Sequence, residues 1–225
     1  AFLSRVMSDI PDRRFIHDLK NNDPLLEIIG EETKKWVKES DDEALYEALN
    51  IDYTSMFILN TQPVESFVLD AKNETLVGLQ NPVMAFYFTH GFEVNMDQTQ
   101  IMAPDHLSIE FAFMQTLVYR NETAPQLEFL EQHIFPWVVP YMMGMKSMAD
   151  TPFYRDMCDF IIEFFTEDTF TTTACSGWIT TLNHEVLNYP VENLIIKITI
   201  FYKFYEIIPV KRCFIIKNNG YFACI

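Results

Sequence analysis

The sequence predicts an all-α protein: a single globular multi-helix bundle followed by an atypical C-terminal tail. Helix-start signals recur through residues 1–168, with few strand signals between them. Hydrophobic residues make up 49% of the 225 positions and include twenty Phe, which is enough to bury one core. We therefore expect one all-helical domain over residues 1–168 and a tail over residues 169–225.

Acidic residues precede the first two strong helix predictions. Asp23-Pro24 opens DPLLEIIGEETKKWVKE, in which hydrophobic residues recur at helical spacing. The next segment, DDEALYEALNIDYTSMFI, starts at an acidic pair. Its large apolar side chains recur every four residues, at Leu45, Leu49, Tyr53 and Phe57. This spacing predicts a helix with one buried face.

Proline at or near the first turn marks the remaining helix starts. These starts are Asn81-Pro82, Pro104 in MAPDHLSIEFAFMQTL, Ala124-Pro125 and Thr151-Pro152. Gly91 is a natural end for the helix that begins at Asn81-Pro82. The connection between Leu59 and Asn81 is too long for a tight turn, and long ordered connections often carry function.

The tail differs in composition from the bundle. In residues 194–225, 22 of 32 positions are Ile, Lys, Phe, Tyr or Asn. Their β-branched and aromatic content suits extended structure. All five types also have AT-rich codons, so translation in a non-native reading frame explains the composition equally well. We expect a tail that is extended or poorly ordered and contributes little to function.

The distribution of charge along the chain limits the classes of partner that the protein can bind. The tail holds three acidic and five basic residues, which leaves 29 acidic and 11 basic residues, a net charge of −18, in residues 1–168. Phosphates would be repelled, so we expect no nucleic-acid partner, whereas a cationic partner would be attracted. The chain has no uninterrupted apolar run of about 18 residues, its start does not look like a signal peptide, and its four cysteines form no C-x-x-C pair. We expect a cytoplasmic protein without stable membrane insertion.

Common catalytic motifs are missing from the sequence. It contains no glycine-rich phosphate loop and no G-x-S-x-G motif, and no two histidines are spaced four residues apart. These motifs give no candidate catalytic residue, metal ligand set or cofactor site, and we predict none, although a metal site built from scattered Asp, Glu and His side chains stays open.

Several segments together resemble the TorD/DmsD (NarJ-like) family of redox-enzyme maturation chaperones. DYTSMFILNTQPVESF is similar to the family's Asp-Tyr-x-x-Leu-Phe run and the loop that follows it. MAPDHLSIEFAFMQTL resembles its Pro-x-Asp-His helix start, and FLEQHIFPWVVPYM and FYRDMCDFIIEFF resemble its last two segments. Two features depart from the family pattern: Met102 stands where a Glu is common, and Pro104 lies one position later than the usual proline.

The resemblance implies a non-enzymatic, TorD-like helical bundle. Such a protein binds the twin-arginine signal peptide and the apo form of a molybdenum-cofactor oxidoreductase, delays export and assists cofactor insertion and assembly. By position, the implied peptide-binding residues are Pro104, Asp105, His106, Tyr53, Phe57, Glu65 and Ser66. We expect Asp105 and His106 to form a recognition pair displayed at the surface where a helix begins.

Two other functions remain open. One is a helical metal-dependent hydrolase that uses Asp105, His106 and Glu110, because Glu110 lies four residues beyond His106. The other is an assembly factor that binds a folded partner without recognising a signal peptide. Either a monomer or a domain-swapped dimer is compatible with the long connection after Leu59.

Overall fold

The computed structural model describes residues 2–70, 75–76, 80–94, 103–176, 216–218 and 221–223, with side chains described up to residue 166. Helices dominate this part of the chain, so the all-α prediction is confirmed. The α-helices are α1 (Phe2–Ser8), α2 (Arg13–Lys20), α3 (Asp23–Ile29), α4 (Glu31–Glu39), α5 (Asp42–Tyr53), α6 (Glu65–Leu69), α7 (Pro82–Thr89), α8 (Leu107–Tyr119), α9 (Thr123–Phe129), α10 (Val138–Lys146) and α11 (Pro152–Ser176). Two π-helical segments, π1 (Thr54–Asn60) and π2 (Leu130–Ile134), follow α5 and α9.

The predicted helix starts at α5, α7 and α11 are confirmed, and side-chain caps explain two of them. The Asp41 carboxylate accepts hydrogen bonds from the first backbone N–H groups of α5. The Asn81 side chain accepts one from Val83 N–H at 3.1 Å, ahead of Pro82. These caps satisfy backbone donors that have no partner within the helix.

The helix predicted to begin at Asp23-Pro24 is divided in two at Gly30. Gly30 has φ 157°, and a Cβ placed there would lie 2.4 Å from Oδ2 of Asp156. The same oxygen accepts a hydrogen bond from Thr33 N–H at 3.0 Å, in the first turn of α4. Only glycine allows this close approach without strain, so a contact with α11 sets the break.

The four-residue repeat of α5 forms a buried face, as predicted. Leu45, Leu49, Tyr53 and Phe57 are all buried. The helix widens into π1 rather than stopping, and the chain leaves π1 in extended conformation at Thr61. The Tyr141 hydroxyl of α10 donates a hydrogen bond to the Thr61 carbonyl at 3.0 Å. This contact fixes the start of the linking segment, residues 61–80.

One continuous core joins the helices. α11 packs on α10 and also contacts α3, α4 and α5, while α1 and α9 pack on α8. Among its largest fully buried side chains are Tyr87, Phe113, Trp137 and Phe153. Phe113 lies within 5 Å, between ring centroids, of Tyr87, Phe92 and Phe129. This aromatic packing holds α7, α8 and α9 around the site described below.

The predicted boundary after residue 168 is not a structural break. α11 continues to Ser176, so residues 169–176 are helical rather than extended. Further on, Ile216–Asn218 (β1) and Tyr221–Ala223 (β2) form a short antiparallel hairpin with Ile216 opposite Ala223. The expectation for the rest of the tail lies outside the described residues. No helix in the described ranges has the length and hydrophobicity needed to cross a bilayer.

Candidate functional site

The linking segment and the turn before α8 are joined by backbone hydrogen bonds. Val64 and His106 form an isolated antiparallel bridge. Glu65 N–H donates to the Asp105 carbonyl at 3.0 Å, and Leu107 N–H donates to the Pro63 carbonyl at 2.8 Å. The structure therefore brings together two of the segments in which the sequence predicted peptide-binding residues. We call residues 63–66 the strap, because they lie along the turn formed by residues 103–106.

The side chain of Asp105 holds the strap through a hydrogen bond. Its Oδ2 accepts a hydrogen bond from Ser66 N–H at 2.7 Å, and the Ser66 hydroxyl accepts one from Leu76 N–H at 2.9 Å. Asp105 is only 1% exposed, and its Oδ1 has no hydrogen-bond partner among the described residues. The carboxylate is therefore half satisfied inside the protein.

His106 is the N-cap of α8 rather than a surface recognition group. Its Nδ1 accepts a hydrogen bond from Ser108 N–H at 3.3 Å and lies 2.8 Å from the Ser108 hydroxyl. Burial lowers the pKa of the imidazole to about 4, so it is neutral at pH 7. A neutral ring is required here, because Nδ1 must stay unprotonated to accept.

Two sequence predictions about this turn are therefore wrong. Asp105 and His106 are buried rather than displayed at the surface. The helix begins at Leu107 rather than at Pro104, whose carbonyl accepts a hydrogen bond from the Tyr87 hydroxyl at 3.2 Å. The reason is the strap, which pairs with the turn and covers it.

Glu65 forms a nearly buried pair with His133. Nδ1 of His133 lies 2.9 Å and 3.2 Å from the two carboxylate oxygens of Glu65. His133 belongs to π2, and its carbonyl accepts a hydrogen bond from the Trp137 indole N–H at 2.6 Å. The rings of Phe129 and Phe86 lie 5.0 and 5.8 Å from the imidazole. Short π-helical segments often occur at functional sites, and π2 carries this histidine to the strap.

Glu110 is the remaining acidic side chain near Glu65 and Asp105. It is fully buried on α8, and neither of its carboxyl oxygens has a hydrogen-bond partner among the described residues. Burial raises the pKa of Glu110 well above its usual range, and the carboxylates of Glu65 and Asp105 raise it further. We call Glu65, Asp105, Glu110 and His133 the carboxylate cluster.

The structure places Tyr53 and Phe57 in a different part of the core. Both are buried and contact each other, with ring centroids 5.2 Å apart, and both contact Tyr154 of α11. The Tyr53 hydroxyl donates a hydrogen bond to the Met7 carbonyl at 3.2 Å. Of the seven predicted residues, Pro104, Asp105, His106, Glu65 and Ser66 therefore meet, whereas Tyr53 and Phe57 pack elsewhere.

The hypothesis of a metal-dependent hydrolase has no support from a cluster of metal-ligating side chains in the described ranges. No group of three or more His, Cys, Asp or Glu side chains is arranged there to hold a metal ion. Nδ1 of His106 is turned to Ser108, and Oδ2 of Asp105 is used by Ser66 N–H. Asp105 and His106 thus have structural partners within the chain.

Sequence reasoning missed His133 and considered Glu110 only as a metal ligand or an acid/base group of an enzyme. The signal for His133 was present in FLEQHIFPWVVPYM, one of the segments that carry the family resemblance. A histidine adjacent to an apolar run gives no sign of a partner 68 residues away. The Glu65–His133 pair depends on the folded arrangement.

Comparison with known proteins assigns the family. A sequence model described as Nitrate reductase delta subunit matches residues 22–142, which is more than half of the chain. The chain belongs to this family. The predicted resemblance to the TorD/NarJ-like chaperones is thereby confirmed, and the matched region contains the strap and the whole carboxylate cluster.

Curated relatives support the same grouping. The Chaperone protein TorD of Shewanella oneidensis is 24% identical over 163 residues, which cover 69% of this chain and 65% of that protein. The Chaperone protein TorD of Shewanella sp. strain ANA-3 is 30% identical over 134 residues, which cover 56% of this chain and 64% of that protein. The chain thus spans just under two thirds of the length of these relatives. No solved structure matches the chain.

Proposed function

We propose that this family member is a cytoplasmic chaperone for a molybdenum-cofactor oxidoreductase. It binds the twin-arginine signal peptide of the apo enzyme, delays its export and assists cofactor insertion and assembly. It is not an enzyme. The observation that carries this proposal is family membership together with relatives that are named as chaperones.

The charge of the helical domain suits this ligand. A twin-arginine peptide presents two guanidinium groups followed by an apolar stretch. Residues 1–168 carry a net charge of −18, from 29 acidic and 11 basic residues, which attracts cations over a long range. Carboxylates bind guanidinium groups through two parallel hydrogen bonds, so an acidic receptor also gains geometric selectivity.

Exposed apolar side chains are concentrated in the part of the sequence that contains the strap. Five of the eight large hydrophobic side chains that are exposed in the described ranges fall between positions 51 and 76. These are Ile51, Ile58, Leu59, Leu69 and Leu76. We propose that the apolar stretch of the peptide docks along π1 and the linking segment, with its basic end toward Glu65, Ser66 and Pro104.

The predicted residues take different roles in this proposal. Glu65, Ser66 and Pro104 lie in the strap and the adjoining turn, where a peptide along the linking segment meets them. Asp105 and His106 hold the strap and the start of α8. Tyr53 and Phe57 support π1 from the core side.

Calorimetry with two peptides tests the proposal. The full chain is titrated with a twin-arginine peptide and with the same peptide carrying Lys-Lys. We expect at least about tenfold tighter binding of the Arg-Arg peptide, because a guanidinium pairs bidentately and an ammonium does not. Equal affinity would contradict signal-peptide recognition and favour an assembly factor that binds a folded partner.

A further inference from the structure

The carboxylate cluster contains acceptor atoms that the described part of the chain leaves unused. Both carboxyl oxygens of Glu110 and Oδ1 of Asp105 are buried without a hydrogen-bond partner there. Buried polar atoms are almost always paired, because an unpaired one lowers the stability of the folded protein. Glu110 lies near enough to Glu65 and Asp105 for their charges to raise its pKa, so these unused acceptors lie close to one another. A group of this kind indicates a site for a donor.

The unused carboxyl oxygens determine which kind of donor group fits between them. The described side chains offer no arrangement of ligands suited to a metal ion. A guanidinium group carries five N–H donors in one plane and no acceptor, so it can bond Glu110 through two parallel hydrogen bonds and still reach Asp105. An ammonium group has three donors around one nitrogen and cannot form the parallel pair.

His133 is the partner of Glu65, the third carboxyl group of the cluster. Its Nδ1 lies 2.9 and 3.2 Å from the two carboxylate oxygens of Glu65, so one nitrogen is shared between two acceptors. The rings of Phe86 and Phe129 flank it, and aromatic faces attract guanidinium groups as well as imidazole. The imidazole therefore satisfies Glu65, while both carboxyl oxygens of Glu110 and Oδ1 of Asp105 have no hydrogen-bond partner in the described ranges.

The strap is hydrogen-bonded to the turn that carries Asp105. Three hydrogen bonds hold it over the turn: Ser66 N–H to Asp105 Oδ2, Glu65 N–H to the Asp105 carbonyl and Leu107 N–H to the Pro63 carbonyl. Glu65 belongs to both the strap and the cluster. A ligand that draws Glu65 away from His133 therefore also loosens the strap, which couples entry of the cation to opening.

We propose that Glu110 and Oδ1 of Asp105 form a closed subsite for an arginine side chain of the bound peptide, with His133 holding Glu65 until the peptide displaces it. This inference rests on the proposed function, since it names where the arginine of that peptide binds. It assigns a binding role to two residues, Glu110 and His133, that the sequence prediction did not include among the peptide contacts.

The decisive variant is Glu110→Gln, which keeps the size of the side chain and removes its charge. It is titrated with the Arg-Arg and Lys-Lys peptides beside wild type and Glu131→Gln, a matched change at an exposed acid on π2. We expect Glu110→Gln to lower the affinity for the Arg-Arg peptide about tenfold or more and to bring the two affinities within about twofold of each other. Glu131→Gln keeps the wild-type preference.

Two additional variants sharpen the assignment. Asp105→Asn can still accept from Ser66 N–H but replaces one carboxylate oxygen by an amide, so it should reduce the preference for Arg-Arg by several-fold. His133→Gln weakens the competitor for Glu65 and should raise affinity for the Arg-Arg peptide several-fold. Thermal unfolding and far-ultraviolet circular dichroism establish that each variant is folded at the titration temperature.

The outcomes separate this inference from the proposed function. If wild type does not discriminate between the peptides, the proposed function fails. If wild type discriminates and folded Glu110→Gln discriminates equally well, the proposed function stands and the arginine subsite is wrong. In that case the unpaired carboxyl groups hold only protons or buried water.

Discussion

Two buried acidic sites in this protein differ in how well they are satisfied. Asp52 in α5 and Asp105 before α8 are each 1% exposed. Asp52 accepts three hydrogen bonds: from Asp150 N–H at 3.1 Å, Thr151 N–H at 2.8 Å and the Thr151 hydroxyl at 2.6 Å. Asp105 accepts one through its side chain, and Glu110 beside it accepts none within the described ranges.

The difference indicates two different uses of a buried acid. Asp52 ties α5 to the residues just before α11, and both of its carboxylate oxygens accept hydrogen bonds. The carboxylate cluster leaves several acceptors open at a strap that pairs with a neighbouring turn. A satisfied buried carboxylate stabilises the fold, whereas an unsatisfied one lowers stability and is retained where a ligand uses it.

The largest expected effect is therefore at Asp52. Asp52→Ala removes an acceptor of charge-assisted hydrogen bonds and leaves two backbone N–H groups and a hydroxyl without it. We expect it to lower the free energy of unfolding by about 3–5 kcal/mol, measured by urea denaturation. At a temperature where the variant is folded, the preference for the Arg-Arg peptide should match wild type.

The matched control for Asp52→Ala is Glu47→Ala, at an exposed acid of the same helix. Exposed substitutions usually change stability by less than about 0.5 kcal/mol. A loss below about 1 kcal/mol for Asp52→Ala, or a lost peptide preference in the folded variant, would contradict the division between the two sites.

The fold could be predicted from sequence because its signals are local. Caps and proline at Asp41, Asn81 and Pro152 act within one helical turn of the residues that they order. The four-residue repeat that includes Leu45 and Phe57 likewise follows from helix geometry alone. None of these signals requires knowledge of a distant contact.

The site could be predicted only in part, because its geometry depends on contacts far apart in sequence. The strap pairs with a turn about 40 residues away, which buries Asp105 and His106. Glu65 meets His133 from 68 residues away, through a π-helical turn that no sequence pattern indicated. The break at Gly30 has the same origin, because Asp156 of α11 approaches it.

The second prediction concerns the pH dependence that burial imposes on His106. Its folded-state pKa of about 4 lies below the usual value of 6.5, so its contribution to stability is complete above pH 6.5 and is lost as the pH falls toward 4. The shift corresponds to about 3 kcal/mol. His106→Asn does not titrate and can still cap α8. We therefore expect a smaller loss of stability between pH 6.5 and 4 than in wild type.

Urea denaturation at pH 7 and pH 4.5 measures this difference. His17→Asn serves as the control, because its side chain is 73% exposed, and it should follow the wild-type pH dependence. If His106→Asn loses as much stability as wild type on acidification, the ring is not held neutral by burial, and the strap does not shield it.

The smallest expected effect on stability is at Glu110, and it has the opposite sign to that at Asp52. Its pKa is raised in the folded protein, so the free energy that its neutral form contributes is complete below pH 4.5 and is lost as the pH rises through the folded-state pKa. Glu110→Gln removes this titration, and an amide can also donate to Glu65. We expect the variant to be more stable than wild type by about 1–2 kcal/mol at pH 8, and the two to differ little at pH 4.

Thermal unfolding at both pH values measures the gap, which corresponds to a rise in Tm of about 2–8 °C at pH 8. Glu131→Gln, at an exposed acid, should show no such gap. A gain in stability together with a loss of preference for the Arg-Arg peptide would identify Glu110 as a residue kept for binding at the expense of the fold. Lower stability of Glu110→Gln at pH 8 would instead mean that the carboxylate is satisfied in the folded protein, as Asp52 is, and the contrast between the two buried acids would disappear.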